Sequence, residues 1–312
     1  MKIAFLADPL SSFKIYKDTT FAMMTEAHKR GHSVYAFEQK DMAIHGGVVT
    51  ANVARIVLTG DAHDWFRAEP AQAMGLQELD AVILRKDPPF DLEYIYVTYL
   101  LELAEAQGAR VFNKPAAVRS HNEKLTITQF PQFITPTLVT SSDDRLRAFH
   151  REHKVIILKP LDGMGGTGVF KVNEDGMNLG SIIETLTDNG ARTIMAQRYI
   201  PEIVAGDKRI LVIGGAVVPY CLARIPQGDE IRGNLAAGGN GVARPLSARD
   251  VEISSTLAPI LAQRGLFLVG LDVIGDCLTE VNVTSPTCFQ EITQQTGFNV
   301  AGMFIDAIEN SY

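Results

Sequence analysis

The stretch Gly270-Leu271-Asp272-Val273-Ile274-Gly275-Asp276-Cys277-Leu278-Thr279-Glu280-Val281-Asn282-Val283 decides how this chain is read. Two apolar runs flank a Gly-Asp turn, the pattern of a β-hairpin. Three oxygen-bearing side chains, Asp272, Glu280 and Asn282, interrupt the apolar residues. Side chains two apart on a strand share a face, so Glu280 and Asn282 point the same way. A three-residue loop, Gly275 to Cys277, pairs Asp272 with Glu280 and adds it to that face. A two-residue loop pairs Asp272 with Thr279 and turns it away. In the first register hard oxygen ligands converge on a spot flanked by apolar residues. That set suits Mg²⁺, which takes one or two carboxylates together with nucleotide phosphates. The alternative is an ordinary hairpin with a polar outer face.

Outward from the hairpin, the chain has 312 residues, enough for about two domains or three small ones. It is 46% hydrophobic and 21% charged, an ordinary soluble composition. Net charge is −7, from 29 Lys+Arg against 36 Asp+Glu. That balance offers no surface for nucleic acid, so any anionic ligand must be met by local Lys and Arg. Cys221, Cys277 and Cys288 are an odd, thinly spread set, which argues for a reducing compartment rather than a disulfide framework. The start, Met1-Lys2-Ile3-Ala4-Phe5-Leu6-Ala7-Asp8, is too short and too soon acidic for a signal peptide. No apolar run reaches the length of a membrane span. The expected location is the cytoplasm.

The first third alternates strand and helix. Strands are expected at 2–7, 33–38, 81–84 and from 111. Helices are expected at 19–30, capped by Asp18 and stopped by Gly31, and at 92–107, closed by Gly108. This rhythm implies a parallel sheet covered by helices. No Gly-x-Gly-x-x-Gly follows the first strand, which argues against a dinucleotide site. The carboxyl ends of such strands usually carry ligands. Here they hold Asp8, Lys17-Asp18-Thr19, Arg85-Lys86-Asp87 and Asn113-Lys114.

The middle third changes character. A strand at 155–159 ends in Lys159, and the glycine-rich turn Asp162-Gly163-Met164-Gly165-Gly166-Thr167-Gly168 leads into a strand at 169–172. Glycines let backbone N–H groups approach phosphate oxygens, and a neighbouring Lys supplies charge. A Walker loop would enter a helix, whereas this turn joins two strands; a flexible hairpin tip is the other reading. Gln197-Arg198-Tyr199-Ile200 is an extended segment that fits an adenine edge or an inter-domain linker equally well. The last third is a set of hairpins, 209–213 with 216–222 and the metal hairpin, with helices near 248–264 and 300–309. Arg209, Arg224 and Arg232 surround a long loop, 225–241, that contains Gly228, Gly233, Gly238, Gly239 and Gly241. Its composition is that of a lid that orders over a ligand. His28, His45, His63 and His121 lack metal-ligand spacing, and no Ser-His-Asp or nucleophile-elbow pattern appears.

Lys124, Lys159, the glycine turn, the Arg-flanked lid and Asp272…Glu280-x-Asn282 occur in the order of the ATP-grasp fold. More specifically, the chain resembles the bacterial glutathione synthetases. The resemblance rests on Arg85-Lys86-Asp87-Pro88-Pro89-Phe90, Asn113-Lys114-Pro115, Asn122-Glu123-Lys124, Ile157-Leu158-Lys159-Pro160-Leu161-Asp162-Gly163-Met164-Gly165-Gly166, Pro219-Tyr220-Cys221-Leu222-Ala223-Arg224-Ile225-Pro226-Gln227-Gly228, Arg232-Gly233-Asn234-Leu235-Ala236-Ala237-Gly238-Gly239 and Glu280-Val281-Asn282-Val283-Thr284-Ser285-Pro286-Thr287. It departs at 11–16, Arg198, Asp229 and Asn240.

The resemblance implies an α/β and α+β chain: a Rossmann-like pre-ATP-grasp parallel-sheet domain at 1–121, a central ATP-grasp lobe at 122–200 and a C-terminal lobe at 201–312. It implies ligation of γ-glutamylcysteine to glycine, with ATP going to ADP and phosphate through an acyl phosphate. Lys124, Lys159, Gly163, Gly165, Gly166, Gln197, Tyr199, Ile200, Asp207 and Asn282 would hold the nucleotide. Asp272, Glu280 and Asn282 would hold Mg²⁺, or Mn²⁺ in its place. Arg209, Arg224 and Arg232 would serve the transferring phosphoryl. Asp18, Arg85, Lys86, Asn113, Asn122, Arg209, Arg232 and Asn234 would bind substrate. The partners are small molecules, with no nucleic acid or membrane, in a homo-oligomer. Rival readings are another carboxylate–amine ligase of the fold, or a regulatory protein that binds ATP and forms no amide.

Overall fold

The computed structural model describes residues 1–228, 230, 232–235 and 238–311. Asp229, Ile231, Ala236 and Ala237 of the expected lid lie outside the described residues.

The N-terminal region contains β1 (Lys2–Leu6), α1 (Thr19–Lys29), β2 (Ser33–Phe37), β3 (Met42–His45), β4 (Val48–Leu58), β5 (Phe66–Ala68), β6 (Gln72–Gly75), β7 (Ala81–Leu84), α2 (Leu92–Ala106), β8 (Val111–Phe112) and α3 (Pro115–Ser120). β1 lies between β2 and β7, and β7 pairs with β8, all parallel. The Asp18 carboxylate accepts the Phe21 N–H at 2.7 Å and starts α1 as expected of an N-cap. The parallel sheet is not the whole of it. Residues 42–75 form β3 to β6, which continue the sheet antiparallel beyond β2. Thr50, Asn52 and Arg55 interrupt β4, and β5 and β6 are short and mostly exposed, so no apolar rhythm announces them.

The middle region is an antiparallel sheet in the order β11-β10-β12-β9, with β9 (Thr137–Thr140), α4 (Asp143–His153), β10 (Ile156–Pro160), β11 (Phe170–Val172), α5 (Leu179–Thr187) and β12 (Ile194–Arg198). Ile156 and Leu158 pack with Leu146 of α4 and Ile183 of α5. The alternation of β10 therefore sends Ile157 and Lys159 to the opposite face. α4 escapes a reading from pattern because its buried apolar stripe is only Leu146 and Phe149.

The C-terminal sheet runs β15-β14-β13-β16-β17. Its strands are β13 (Asp207–Ile213), β14 (Ala216–Ile225), β15 (Asn240–Pro245), β16 (Leu268–Ile274) and β17 (Cys277–Asn282). α6 (Ala248–Gln263), α7 (Phe289–Thr296) and α8 (Val300–Glu309) complete the chain. Ile210 and Val212 bury with Ile253, Leu257 and Leu261 of α6. Leu211 and Ile213 bury on the other face with Phe289 of α7 and Phe304 of α8. Asp207 and Arg209 continue the Leu211 face.

The hairpin combines both registers considered from sequence. Ile274 pairs with Cys277 across a two-residue turn, yet Asp272 pairs with Glu280 because Thr279 is an extra, bulged residue. The Thr279 hydroxyl donates to the Asp272 carbonyl at 3.1 Å across the bulge. Asp272, Glu280 and Asn282 consequently share one face.

Polar contacts fix the N-terminal sheet against the C-terminal one. Arg30 meets Asp306 at 2.5 Å and Glu309 at 3.0 Å. The Asn113 amide donates to the carbonyls of Leu268 and Val283, and its Oδ1 accepts from the N–H groups of Phe267 and Leu268.

Candidate active site

The face carrying Asp272 holds a chain of buried charges. Arg209 donates to both oxygens of Asp272, at 2.5 and 3.0 Å, and Arg224 reaches Asp272 at 2.8 Å and Asp207 at 2.5 Å. Arg209 lies flat over Gly270: a Cβ there would come 2.8 Å from Arg209 Cδ, so the glycine opens the path between the pair. Burial alone would raise the Asp272 carboxyl; the two guanidinium groups override it and hold Asp272 well below the usual carboxylate range. Asp207 differs. Burial, with Asp272 and Glu280 adding repulsion, outweighs Arg224 and pushes its carboxyl up to about 6. Its Oδ1 is buried and makes no hydrogen bond among the described residues, an orphan acceptor on a residue that lines the slot between the lobes.

Across that space stand the lysines of the middle region. Lys159 Nζ and Lys124 Nζ lie 3.8 and 3.9 Å from the same Glu280 oxygen. Lys124 also donates to the Gly163 carbonyl at 3.0 Å, and Lys159 to the Thr279 carbonyl at 3.4 Å. Burial lowers the Lys159 ammonium, with Glu280 opposing and Lys124 reinforcing the shift. Gly163, Gly165, Gly166, Gln197, Tyr199, Ile200 and Asp207 line the same slot. Gln197 is buried and donates to Thr137 Oγ1 at 3.1 Å.

From the loop expected to be a lid, Arg232 donates to the Gly166 carbonyl at 3.4 Å and pairs with Glu230 at 2.5 Å. Gly233 packs so closely on β14 that a Cβ would sit 2.1 Å from the Arg224 carbonyl oxygen. Only glycine fits at that point. Asn234 lines the slot beside it.

A second cavity, ≈ 400 Å³, opens from this slot toward the N-terminal sheet. Asp18, Arg85, Arg209, Arg224, Asn234, Glu280 and Asn282 line it. Arg85 is buried and donates to Thr20 Oγ1 and to the Pro286 carbonyl, both at 3.0 Å. The Asn282 amide nitrogen donates to the Gly270 carbonyl at 3.2 Å, which presents Oδ1 to the cavity.

Three residues expected to bind substrate stand elsewhere. Lys86 lines a different cleft with Glu38 and Tyr96, because it alternates away from Arg85. Asn113 spends all four of its hydrogen bonds on the backbone of the C-terminal sheet, as described above. Asn122 donates to the Leu161 carbonyl and accepts from the N–H groups of Lys124 and Leu125. Asn113 and Asn122 act as structural clamps near the site.

Sequence reasoning also passed over Glu123. It is half-buried, its Oε1 accepts from the N–H groups of Val283 and Thr284 and from the Thr284 hydroxyl, and its carbonyl accepts the Val281 N–H. It therefore fixes the strand that carries Glu280 and Asn282. Its position between Asn122 and Lys124 was the available signal.

Among the described residues, no group of three or more His, Cys, Asp or Glu side chains is arranged to hold a metal. The oxygen set is Glu280, Asn282 and Asp272, and the Asp272 oxygens are shared with two arginines. Such a set fits a hard cation that completes its shell with phosphate and water.

The sequence matches two families: prokaryotic glutathione synthetase, N-terminal domain, over residues 1–119, and prokaryotic glutathione synthetase, ATP-grasp domain, over residues 123–297. It is 63% identical over 311 residues to the glutathione synthetase of Ralstonia nicotianae, covering 100% of this chain and 96% of that one. It is 58% identical over 312 residues to the glutathione synthetase of Neisseria meningitidis serogroup B, covering 99% and 98%. Among solved structures, the D-cycloserine synthetase DcsG superposes with a TM-score of 0.68 at 15% identity, covering 99% of each chain. The ATP-grasp ligase PsnB complexed with a minimal precursor gives 0.65 at 18%, covering 100% of each. At such identities these structures establish the ATP-grasp fold alone.

Proposed function

Because the chain belongs to the prokaryotic glutathione synthetase family, we propose the following division of labour for the residues gathered between its lobes. The activity is that of an ATP-dependent ligase that joins γ-glutamylcysteine to glycine. A carboxylate is a poor electrophile, so the γ-phosphoryl of ATP passes to the cysteinyl carboxylate: a new O–P bond forms, the bond to the β-phosphate oxygen breaks, and ADP leaves. The neutral glycine amine then attacks the acyl carbon, phosphate departs with the bonding pair, and the amide forms as the nitrogen loses its proton.

Such transfer between anions needs charge and alignment more than covalent help. One observation carries the assignment. Lys124, Lys159, Arg209 and Arg224 converge on only three carboxylates, Asp207, Asp272 and Glu280. The surplus positive charge suits a polyphosphate. Lys124 and Lys159 hold the α- and β-phosphates, and Gly163, Gly165 and Gly166 bring backbone N–H groups to them. Gln197, Tyr199 and Ile200 border the adenine, and the unpartnered Asp207 oxygen accepts from a nucleotide hydroxyl. Arg209 and Arg224, with Arg232 from the lid, hold the transferring phosphoryl and the substrate carboxylates, while Asp18, Arg85 and Asn234 position the dipeptide. Glu280 and Asn282, with Asp272, would hold Mg²⁺, or Mn²⁺ in its place, whose charge would offset that of the phosphates. Water is excluded by the lid, since hydrolysis of an acyl phosphate wastes ATP.

We further divide the chain at 121/122 and 200/201, and read it as a cytoplasmic homo-oligomer. No described helix is long and apolar enough to cross a membrane, and three free cysteines fit a reducing compartment. Light scattering gives the oligomer mass. The reaction is tested by phosphate release from ATP and Mg²⁺ with γ-glutamylcysteine and glycine added singly and together, and the product weighed by mass spectrometry. Release that needs both, with glutathione formed, is expected; ATP binding without turnover overturns the assignment.

A further inference from the structure

One charged group in the second cavity has no role in the chemistry above. Glu291 stands in the first turn of α7, and its Oε2 is buried without a hydrogen-bond partner among the described residues. Burial raises its carboxyl; Lys17 opposes that shift and Asp18 reinforces it. A carboxylate oxygen removed from water with no donor is costly, so the site is incomplete as it stands. The cavity wall beside it carries Lys14, Lys17, Asp18 and Arg85.

The loop that bears Lys17 is tied to the helix that bears Glu291. Gln290 Nε2 donates to the carbonyls of Ile15 and Asp18 at 2.7 and 2.5 Å, and Gln294 Nε2 donates to that of Tyr16 at 3.4 Å. Glu291 is thus held on a rigid element rather than left to swing. Its charged neighbours, Lys17 and Asp18, belong to the N-terminal wall, whereas Glu280, Arg209 and Arg224 form the wall where phosphoryl transfer is placed.

Of the groups the two substrates and ATP bring, the carboxylates and phosphates are anions that a carboxylate repels. An orphan carboxylate oxygen needs a hydrogen-bond donor, and an ammonium is the donor among these groups that also brings the opposite charge. The dipeptide ends in a zwitterion, an α-ammonium beside an α-carboxylate, remote from the cysteinyl carboxylate that reacts. A carboxylate beside basic groups is the matching arrangement. We propose that Glu291 binds the α-ammonium of the γ-glutamyl residue, with Lys17 and Arg85 taking its α-carboxylate, and so determines that the acyl substrate is an amino acid derivative. This rests on the reaction assigned above.

The test compares γ-glutamylcysteine with glutarylcysteine, which lacks only the α-amino group, in steady-state ligation with glycine. A buried polar group left unpaired discriminates strongly, so the wild-type enzyme should prefer the amino substrate by about 100-fold in kcat/KM. In Glu291→Gln the preference should shrink to about threefold, through a higher KM for γ-glutamylcysteine, with kcat and the KM for glycine held within about twofold. Glu291→Asp should restore part of the preference. Melting curves check that the variants are folded, and calorimetric titration of γ-glutamylcysteine into each supplies a readout independent of turnover. A preference that survives in Glu291→Gln overturns the proposal, as does a loss that falls on the KM for glycine. A wild-type enzyme that forms no glutathione would instead overturn the reaction itself, and the two failures are separate.

Discussion

The C-terminal sheet and the two glycine-rich loops face each other across one slot and hold their charges in opposite ways. In the sheet, the Arg209, Arg224 and Asp272 side chains are 8%, 4% and 2% exposed, and each is locked to another by charge-assisted hydrogen bonds. In the loops, Arg232 is 33% exposed and leans on one carbonyl and one neighbouring glutamate. The sheet sets its charges when the protein folds. The loop proposed above as a lid would bring its charge by moving. A ligase that makes a water-sensitive acyl phosphate needs both: fixed charge for the transfer, and a cover that opens for three substrates.

The comparison breaks first at Asp272. Asp272→Ala leaves the buried Arg209 guanidinium without its carboxylate and Arg224 with Asp207 alone, and should cost about 3–5 kcal/mol of stability together with activity. Urea unfolding measures it. A loss below about 1 kcal/mol would mean that the sheet does not depend on its charge chain.

Glu280→Gln separates chemistry from folding on the same sheet. Glu280 meets the lysines at 3.8 and 3.9 Å and is only loosely paired. The amide should lose about 10²–10³-fold in kcat, while stability changes by less than about 0.5 kcal/mol. Near-normal turnover across a Mg²⁺ titration would remove Glu280 from the metal shell.

Arg232→Ala sharpens the other side. It should leave the unfolding curve unchanged, lower kcat/KM about tenfold, and raise the phosphate released per glutathione formed. Tight coupling retained in the variant would deny the lid a part in excluding water.

The same contrast governs what the sequence discloses. The sheet cores were legible because their strands are short continuous apolar runs, Val155-Ile156-Ile157-Leu158 before Lys159 and Ile210-Leu211-Val212-Ile213 before Gly214-Gly215. The hairpin was legible in its residues but not in its register, because a bulge at Thr279 carries no signature that pattern can catch. Lys86, Asn113 and Asn122 were drawn in by their neighbours in quoted motifs. A motif marks a neighbourhood, and alternation or a saturated amide decides which of its members faces the cavity. Glu123 and Glu291 were missed for the converse reason: their roles depend on contacts more than 100 residues away or on a cavity, neither of which leaves a local pattern.

Asp207 is where the fixed side should yield a graded response. Its carboxyl is pushed up to about 6 by burial despite the arginine at 2.5 Å. It is therefore protonated below that pH and ionised above it. An ionised carboxylate is the stronger acceptor for a nucleotide hydroxyl, so kcat/KM for ATP should rise several-fold between about pH 5 and pH 7. Asp207→Asn should lose that inflection while keeping the one from ATP's own phosphate. The same shift has a sign in stability. A carboxyl raised in the folded state contributes stability below its ordinary value of 3.8, and that contribution is lost as pH rises through about 6. The stability advantage of wild type over Asp207→Asn should therefore shrink from pH 4 to pH 6 and then level off. Asp272, held low by its arginines, should show the reverse, stabilising above 3.8 and failing as pH falls below it. Opposite slopes from two carboxylates bound to the same Arg224 would show that the sheet tunes each by its surroundings rather than by the shared partner.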